Sequence, residues 1–137
     1  MKTVIIGAGI IGASTAYHLA LSGCDVTIVD QSHPGKATLA GAGIVCPWAT
    51  KAADGDWYAM YAAGARYYAE LVEGLADRGE DQIGYRKVGA LVVADDEAEY
   101  LAAAERLATR TAQAPESGGF EELSPERART LFPPLRE

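Results

Sequence analysis

The 137-residue sequence predicts an α/β fold that opens on a parallel strand–helix–strand unit, and three observations carry that prediction. An apolar run from Val4 to Ile6 enters a turn of Gly7, Ala8, Gly9, Ile10, Ile11 and Gly12. Residues 10–22 then set Ile11, Ala16, Leu19 and Ala20 on one face of a helix, with Gly23 where a helix C-cap glycine belongs. A second apolar run, Val26 to Val29, ends in Asp30, roughly 20 residues beyond the glycines.

Strand, glycine turn, helix, strand and terminal acid, in that order, form the Rossmann-like arrangement that binds an adenine dinucleotide. Gly7 permits the tight turn off the first strand. Gly9 removes a side chain where pyrophosphate must approach backbone, and Gly12 lets the helix sit close on the sheet. The free N–H groups and partial positive charge of the helix N-terminus then face the phosphates. The carboxylate of Asp30 is placed to accept hydrogen bonds from the adenosine ribose and to repel a ribose phosphate, which argues for FAD or NAD and against NADP.

Composition bounds the rest. The length is that of one modest domain and 49% of residues are hydrophobic, enough for a core. Nothing longer than a strand is continuously apolar, so no membrane span is expected. Met1, Lys2 and Thr3 run directly into the first strand, which is read as the absence of a signal peptide. Cys24 and Cys46 show neither metal spacing nor a disulfide framework, so a cytoplasmic location is expected. Lys2 and Lys36 balance Asp25 and Asp30, so residues 51–137 carry the whole net charge of −7. A neutral, glycine-rich first third suits a cofactor cradle. The acidic remainder reads as solvated helix surface, with no basic stripe for nucleic acid.

After Asp30 the pattern leaves a plain NAD domain. Residues 31–50 are rich in Gly, Ala and Pro instead of forming a second crossover helix, and small residues at this density let backbone run against a flat or charged ligand. Residues 54–78 read as one long helix with Asp56 as N-cap and Trp57, Tyr61, Ala65, Tyr68, Leu71, Val72 and Leu75 near helical spacing, a pattern of core packing. Residues 85–87 and 89–94 read as one or two strands. A helix follows over residues 96–109, capped by Asp95 or Asp96. Residues 112–119 form a loop. Ser124 and Pro125 then start a short last helix that Phe132, Pro133 and Pro134 stop.

With these segments in view, the chain resembles the amino-terminal part of the D-amino-acid oxidase superfamily of FAD-dependent oxidoreductases, nearest to its glycine oxidase, sarcosine oxidase and D-amino-acid dehydrogenase types. The resemblance runs from Val4 to Asp30, through Gly35 to Trp48 and the Gly84-Tyr85-Arg86 segment, then Val88 to Ala94, and on from Leu123-Ser124-Pro125-Glu126 to Pro133. It implies a glutathione-reductase-type FAD/NAD(P)-binding fold, incomplete here, with residues 1–80 in the FAD-binding domain and 81–137 beginning an α+β substrate domain. Residue by residue, it implies FAD contacts from Gly7, Gly9, Ile10, Ile11 and Gly12 at the pyrophosphate, and from Asp30 and Gln31 at the ribose. Thr38 would lie near the phosphates, and Ala42, Gly43 and Ile44 beside the isoalloxazine ring. Many members have Glu at the position of Asp30 and Ser at that of Leu39. Members run to several hundred residues, so the chain is read as an amino-terminal fragment, inactive alone, whose carboxylate-binding Arg lies in a region absent here.

The resemblance further implies oxidation of the C–N bond of a small amino acid, glycine, sarcosine or a D-amino acid, by hydride transfer to flavin N5. A second reading is a non-catalytic nucleotide-binding module. A third, an NAD-dependent dehydrogenase, leaves the loop at 35–48 without an account. His18 and His33 have no partner at ligand spacing, and Cys46 reads as an inert small hydrophobe. Trp48 either lines the flavin pocket or closes its own loop.

Overall fold

The computed structural model describes residues 1–31, 33–52 and 55–135. They fall into two compact units, residues 1–44 and 45–137.

The first unit is the expected α/β arrangement. Strand β1 (Lys2–Ile6) and strand β2 (Asp25–Val29) pair in parallel, Lys2 opposite Asp25 and Ile6 opposite Val29, with helix α1 (Ile10–Leu21) between them. Parallel neighbours need a crossover, and α1 supplies it. The helix ends as its glycine predicts. Gly23, at φ +80°, donates to Ala20 O at 2.9 Å, and Cys24 donates to Leu19 O at 3.0 Å. These are the paired bonds of a Schellman stop, which turn the chain back toward β2.

Burial in this unit is one-sided. Thr3 and Ile5 of β1 are half-buried and Ala16 of α1 is buried, whereas Val4 and Ile6 on the opposite face are 64% and 89% exposed. A two-stranded sheet covered by one helix buries only the face that the helix meets. Beyond β2 the chain forms one short helical turn, α2 (Ala37–Ala40).

The second unit holds three longer helical elements. Helix α3 (Gly55–Ala76) buries Ala62 and Ala65, helix α4 (Glu97–Ala112) buries Ala103, and helix α5 (Pro125–Leu131) closes the described chain. The expected start of the long helix at Asp54 lies outside the described residues. Asp56 is not its N-cap but sits within the first turn, where its charge meets the positive end of the helix dipole. The far end repeats the Schellman stop, with Gly79 at φ +93° donating to Ala76 O and Glu80 donating to Leu75 O.

Of the two aspartates offered as caps for α4, Asp96 takes the role, its carboxylate accepting from the Glu99 amide at 2.7 Å. The helix also runs three residues past the expected Thr109, and residues 115–117 form a single 3-10 turn inside the expected loop. Ser124 caps α5 through the Arg127 amide at 3.3 Å, with Pro125 at the first helical position as expected. The expected strands at 85–87 and 89–94 do not form. A run rich in valine becomes a strand only when a neighbouring backbone takes its amides, and among the described residues the one sheet is the β1–β2 pair. Val88 and Val93 are accordingly 83% and 57% exposed.

Candidate cofactor site

The glycine turn between β1 and α1 is built by two backbone demands. Gly7 carries φ +102°, a left-handed value that a side chain resists, and its amide extends the ladder by donating to Val29 O at 2.7 Å. Gly12 answers a packing demand. A Cβ there would stand 1.9 Å from Gly7 O and 3.4 Å from Ile5 Cγ2, so only glycine lets the first turn of α1 lie against the turn below it.

Gly9 is the N-cap of α1 and offers no side chain to the first-turn amides, and no acidic side chain lies in that turn. The Thr38 hydroxyl reaches in from the other end of the unit and accepts from the Ile10 amide at 3.0 Å. A Cβ on Gly9 would lie 3.4 Å from that same hydroxyl. The structure thus brings Gly7, Gly9, Ile10, Gly12 and Thr38 together at one helix N-terminus. Ile11 projects from it, 81% exposed. A turn of this kind presents backbone donors and positive potential to a phosphate group.

Asp30 stands at the carboxyl end of β2 beside the same turn. Its carboxylate pairs with the Lys36 ammonium. The Lys36 hydrogen bond, then the Ala8 amide, hold its pKa below the usual carboxylate range, so at neutral pH Asp30 is a charged acceptor. Lys36 is the group that sequence reasoning passes over. Its only signal is that it is the one Lys or Arg between Asp30 and Lys51.

Gln31 is exposed. Ala42, Gly43 and Ile44 are exposed in an irregular stretch after α2, Gly43 at φ +68°, and among the described residues no hydrogen bond joins them to the glycine turn. Leu39, where many relatives of the resembled family have Ser, is 82% exposed and has no hydroxyl to offer a phosphate.

The residues present fit a dinucleotide with a free ribose. A helix start left uncapped by its own N-cap would take the pyrophosphate. The ionised Asp30, at the strand end beside the turn, would take ribose hydroxyls and disfavour a phosphate in their place. Elsewhere, among the described residues no three His, Cys, Asp or Glu side chains group as metal ligands, and no helix is long and apolar enough to cross a membrane. Cys24 and Cys46 are both free thiols.

Comparison with known proteins gives the same picture from sequence and shape. The model of the family described as FAD dependent oxidoreductase (DAO) matches residues 2–137. The oxidoreductase YurR of Bacillus subtilis is 46% identical over 134 residues, which cover 98% of this chain and 36% of YurR. The crystal structure of iminodiacetate oxidase (IdaA) from Chelativorans sp. BNC1 matches with a TM-score of 0.93 at 57% identity, covering 99% of this chain and 37% of that one. A D-proline dehydrogenase of Pyrobaculum islandicum is 53% identical over 45 residues, 33% of this chain and 12% of the relative. The chain therefore spans little more than a third of the length of the two relatives that match it nearly end to end.

Proposed function

The chain belongs to the family of FAD-dependent oxidoreductases, and on that premise we propose that it supplies the adenosine half of an FAD site in an enzyme that oxidises the C–N bond of a small amino acid. In this reading residues 1–80 serve the FAD-binding domain and residues 81–137 begin the substrate domain. The observation that carries the reading is the meeting, in one unit, of a helix N-terminus that its own N-cap leaves open and an ionised carboxylate just beyond β2, whose last residue, Val29, takes the Gly7 amide of the same turn.

Gly7, Gly9, Ile10, Ile11 and Gly12 would hold the pyrophosphate, Thr38 would stand beside it, and Asp30 with Gln31 would hold the ribose. Ala42, Gly43 and Ile44 would run along the isoalloxazine ring, where small side chains permit close approach. When bound, FAD supplies the electron acceptor, taking hydride at N5 from the carbon that carries the amine, and the imine left behind hydrolyses in water. The contribution of these residues is to bind and orient; none of them is asked to move a proton.

Glycine, sarcosine and D-amino acids are the substrate candidates. N-substituted glycines stand first among them, because iminodiacetate, named for the relative at 57% identity, shares that pattern with sarcosine. The test is anaerobic mixing of the complete protein with this panel, iminodiacetate included, while the oxidised flavin band is followed. At least one amine should bleach it. Bleaching only by hydroxy acids or nicotinamides would remove the amine assignment, and a colourless purified protein that takes up no FAD would remove the flavin assignment as well.

A further inference from the structure

The short turn α2 is tied to the first unit at two points, and each is a group that the FAD reading uses. The Lys36 ammonium pairs with the carboxylate of Asp30 just beyond β2. Two residues on, the Thr38 hydroxyl accepts from the Ile10 amide at 3.0 Å, at the start of α1. In that reading Asp30 is the ribose acid and Ile10 belongs to the pyrophosphate turn, so α2 links the two.

The backbone makes that link stiff. Gly35, at φ +84°, takes the chain through a left-handed bend that favours glycine and delivers Lys36 to the N-cap position of α2. The Lys36 carbonyl then accepts from the amides of Leu39 at 3.0 Å and Ala40 at 3.3 Å, so Lys36 and Thr38 belong to one hydrogen-bonded turn. Lys36 engages a single carboxylate oxygen, Oδ2. A carboxylate accepts at about four lone-pair positions, and the Lys36 and Asp30 side chains are 34% and 27% exposed, so a ligand hydroxyl can reach Asp30 while the pair stays formed.

We propose that Lys36 is a positioning residue for the cofactor. It holds one oxygen of Asp30 from a turn that Thr38 anchors at Ile10, and so fixes where the ribose acid stands relative to the pyrophosphate turn. Ribose and pyrophosphate are parts of one covalent ligand, so their two sites must keep one spacing, and a side chain that is still free must be ordered when the ligand binds. An acid already held by its partner avoids that cost. The inference rests on the FAD reading above and adds to it a residue outside every cofactor contact named there.

The experiment measures, by calorimetry, binding of FAD and of ADP, which carries the adenosine half alone, to the apo form of the complete protein. Wild type, Lys36→Met, Lys36→Arg, Asp30→Asn and the double variant of Asp30→Asn with Lys36→Met are compared. Lys36→Met should weaken FAD and ADP alike by about threefold, the size that a solvent-accessible ion pair can supply. Lys36→Arg should restore most of the loss, since a guanidinium also pairs with a carboxylate. In the Asp30→Asn background Lys36→Met should change neither affinity, because Lys36 acts through Asp30.

Wild-type affinity in a folded Lys36→Met protein overturns the inference, whatever its melting temperature. An equal loss from Lys36→Met with and without the Asp30 carboxylate overturns it too, because the ammonium would then act on the phosphates directly. So does a loss for FAD with none for ADP, since the adenosine half would be untouched. Should Lys36→Met fail to fold, Lys36→Gln carries the same cycle with the same outcomes. Each of these results leaves the proposed function standing as long as the wild type binds FAD. A wild-type protein that binds no FAD removes the function and this inference together.

Discussion

The amide of Ile10 donates to the hydroxyl of Thr38 at 3.0 Å, so the first residue of α1 is capped by a side chain 28 positions later and not by its own N-cap, Gly9. This one bond ties the glycine turn to the loop beyond β2. Capping bonds of this type contribute about 0.5–2 kcal/mol, and Thr38→Val keeps the shape while deleting the acceptor. Thr38→Val should therefore lower stability by about 1 kcal/mol in urea unfolding, and Thr38→Ser should restore most of it. In the complete protein the same substitution should raise the Kd for FAD. An unchanged urea midpoint in Thr38→Val would show that the bond does not hold the loop.

Glycines at two places in this chain should respond to alanine with opposite signs. At Gly12 the new Cβ would meet backbone, 1.9 Å from Gly7 O, so α1 must move away from the turn at a cost of about 1–3 kcal/mol. At Gly64, exposed inside α3 with nothing within 4 Å of the added carbon, alanine should stabilise by about 0.8–1 kcal/mol. Denaturant midpoints of the two variants test this. Equal tolerance at both positions would remove the close-packing account of Gly12.

The βαβ unit was legible because its signals are local. Gly7, Gly12, Gly23 and Asp30 each answer to a turn, a contact or a strand end within one short segment, and each lies where spacing placed it. The strands expected at 85–87 and 89–94 were not legible in the same way, because an apolar, valine-containing run states a readiness to pair and not the presence of a partner backbone. Lys36 and Arg110 escaped for a related reason. A cation's value lies in which carboxylate or carbonyl the fold brings to it, and nothing at position 110 announces the carbonyls of Trp48, Thr50 and Ala52 some 60 residues earlier.

Asp30→Asn keeps the hydrogen-bonding shape but loses the charge that pairs with Lys36. In the complete protein FAD binding should weaken by about tenfold or more, since charge-assisted bonds are roughly twice as strong as neutral ones. Discrimination against a dinucleotide carrying a 2′-phosphate should narrow at the same time, because the repelling carboxylate is gone. Calorimetry with FAD, NAD and NADP reads both effects. Tighter binding of NAD than FAD by the wild type would refute the cofactor assignment directly.

Acid should loosen this chain through its paired carboxylates, and the sign follows from the direction of their shifts. Asp30 is held below its usual range first by the Lys36 hydrogen bond, and Glu99 likewise first by Lys51. Glu116 and Glu126 are lowered first by their own backbone amides, with Arg66 and Ser124 adding to the effect. Each binds its proton less readily folded than unfolded. Their stabilisation is therefore complete above the ordinary carboxylate values near 4 and is lost as pH falls through the lower folded values. Tyr100 runs the other way. Its hydroxyl donates to Glu122 and its pKa is raised, so its contribution holds below about pH 10 and is lost as pH rises through the folded value. Melting temperatures measured from pH 2 to 7 should be level down to about pH 4 and fall below it. Asp30→Asn and Glu99→Gln should each flatten that fall. Added salt should flatten it too, because the pairs are solvent-accessible and screened. A melting temperature independent of pH down to about 2 would show that these pairs contribute nothing to folding.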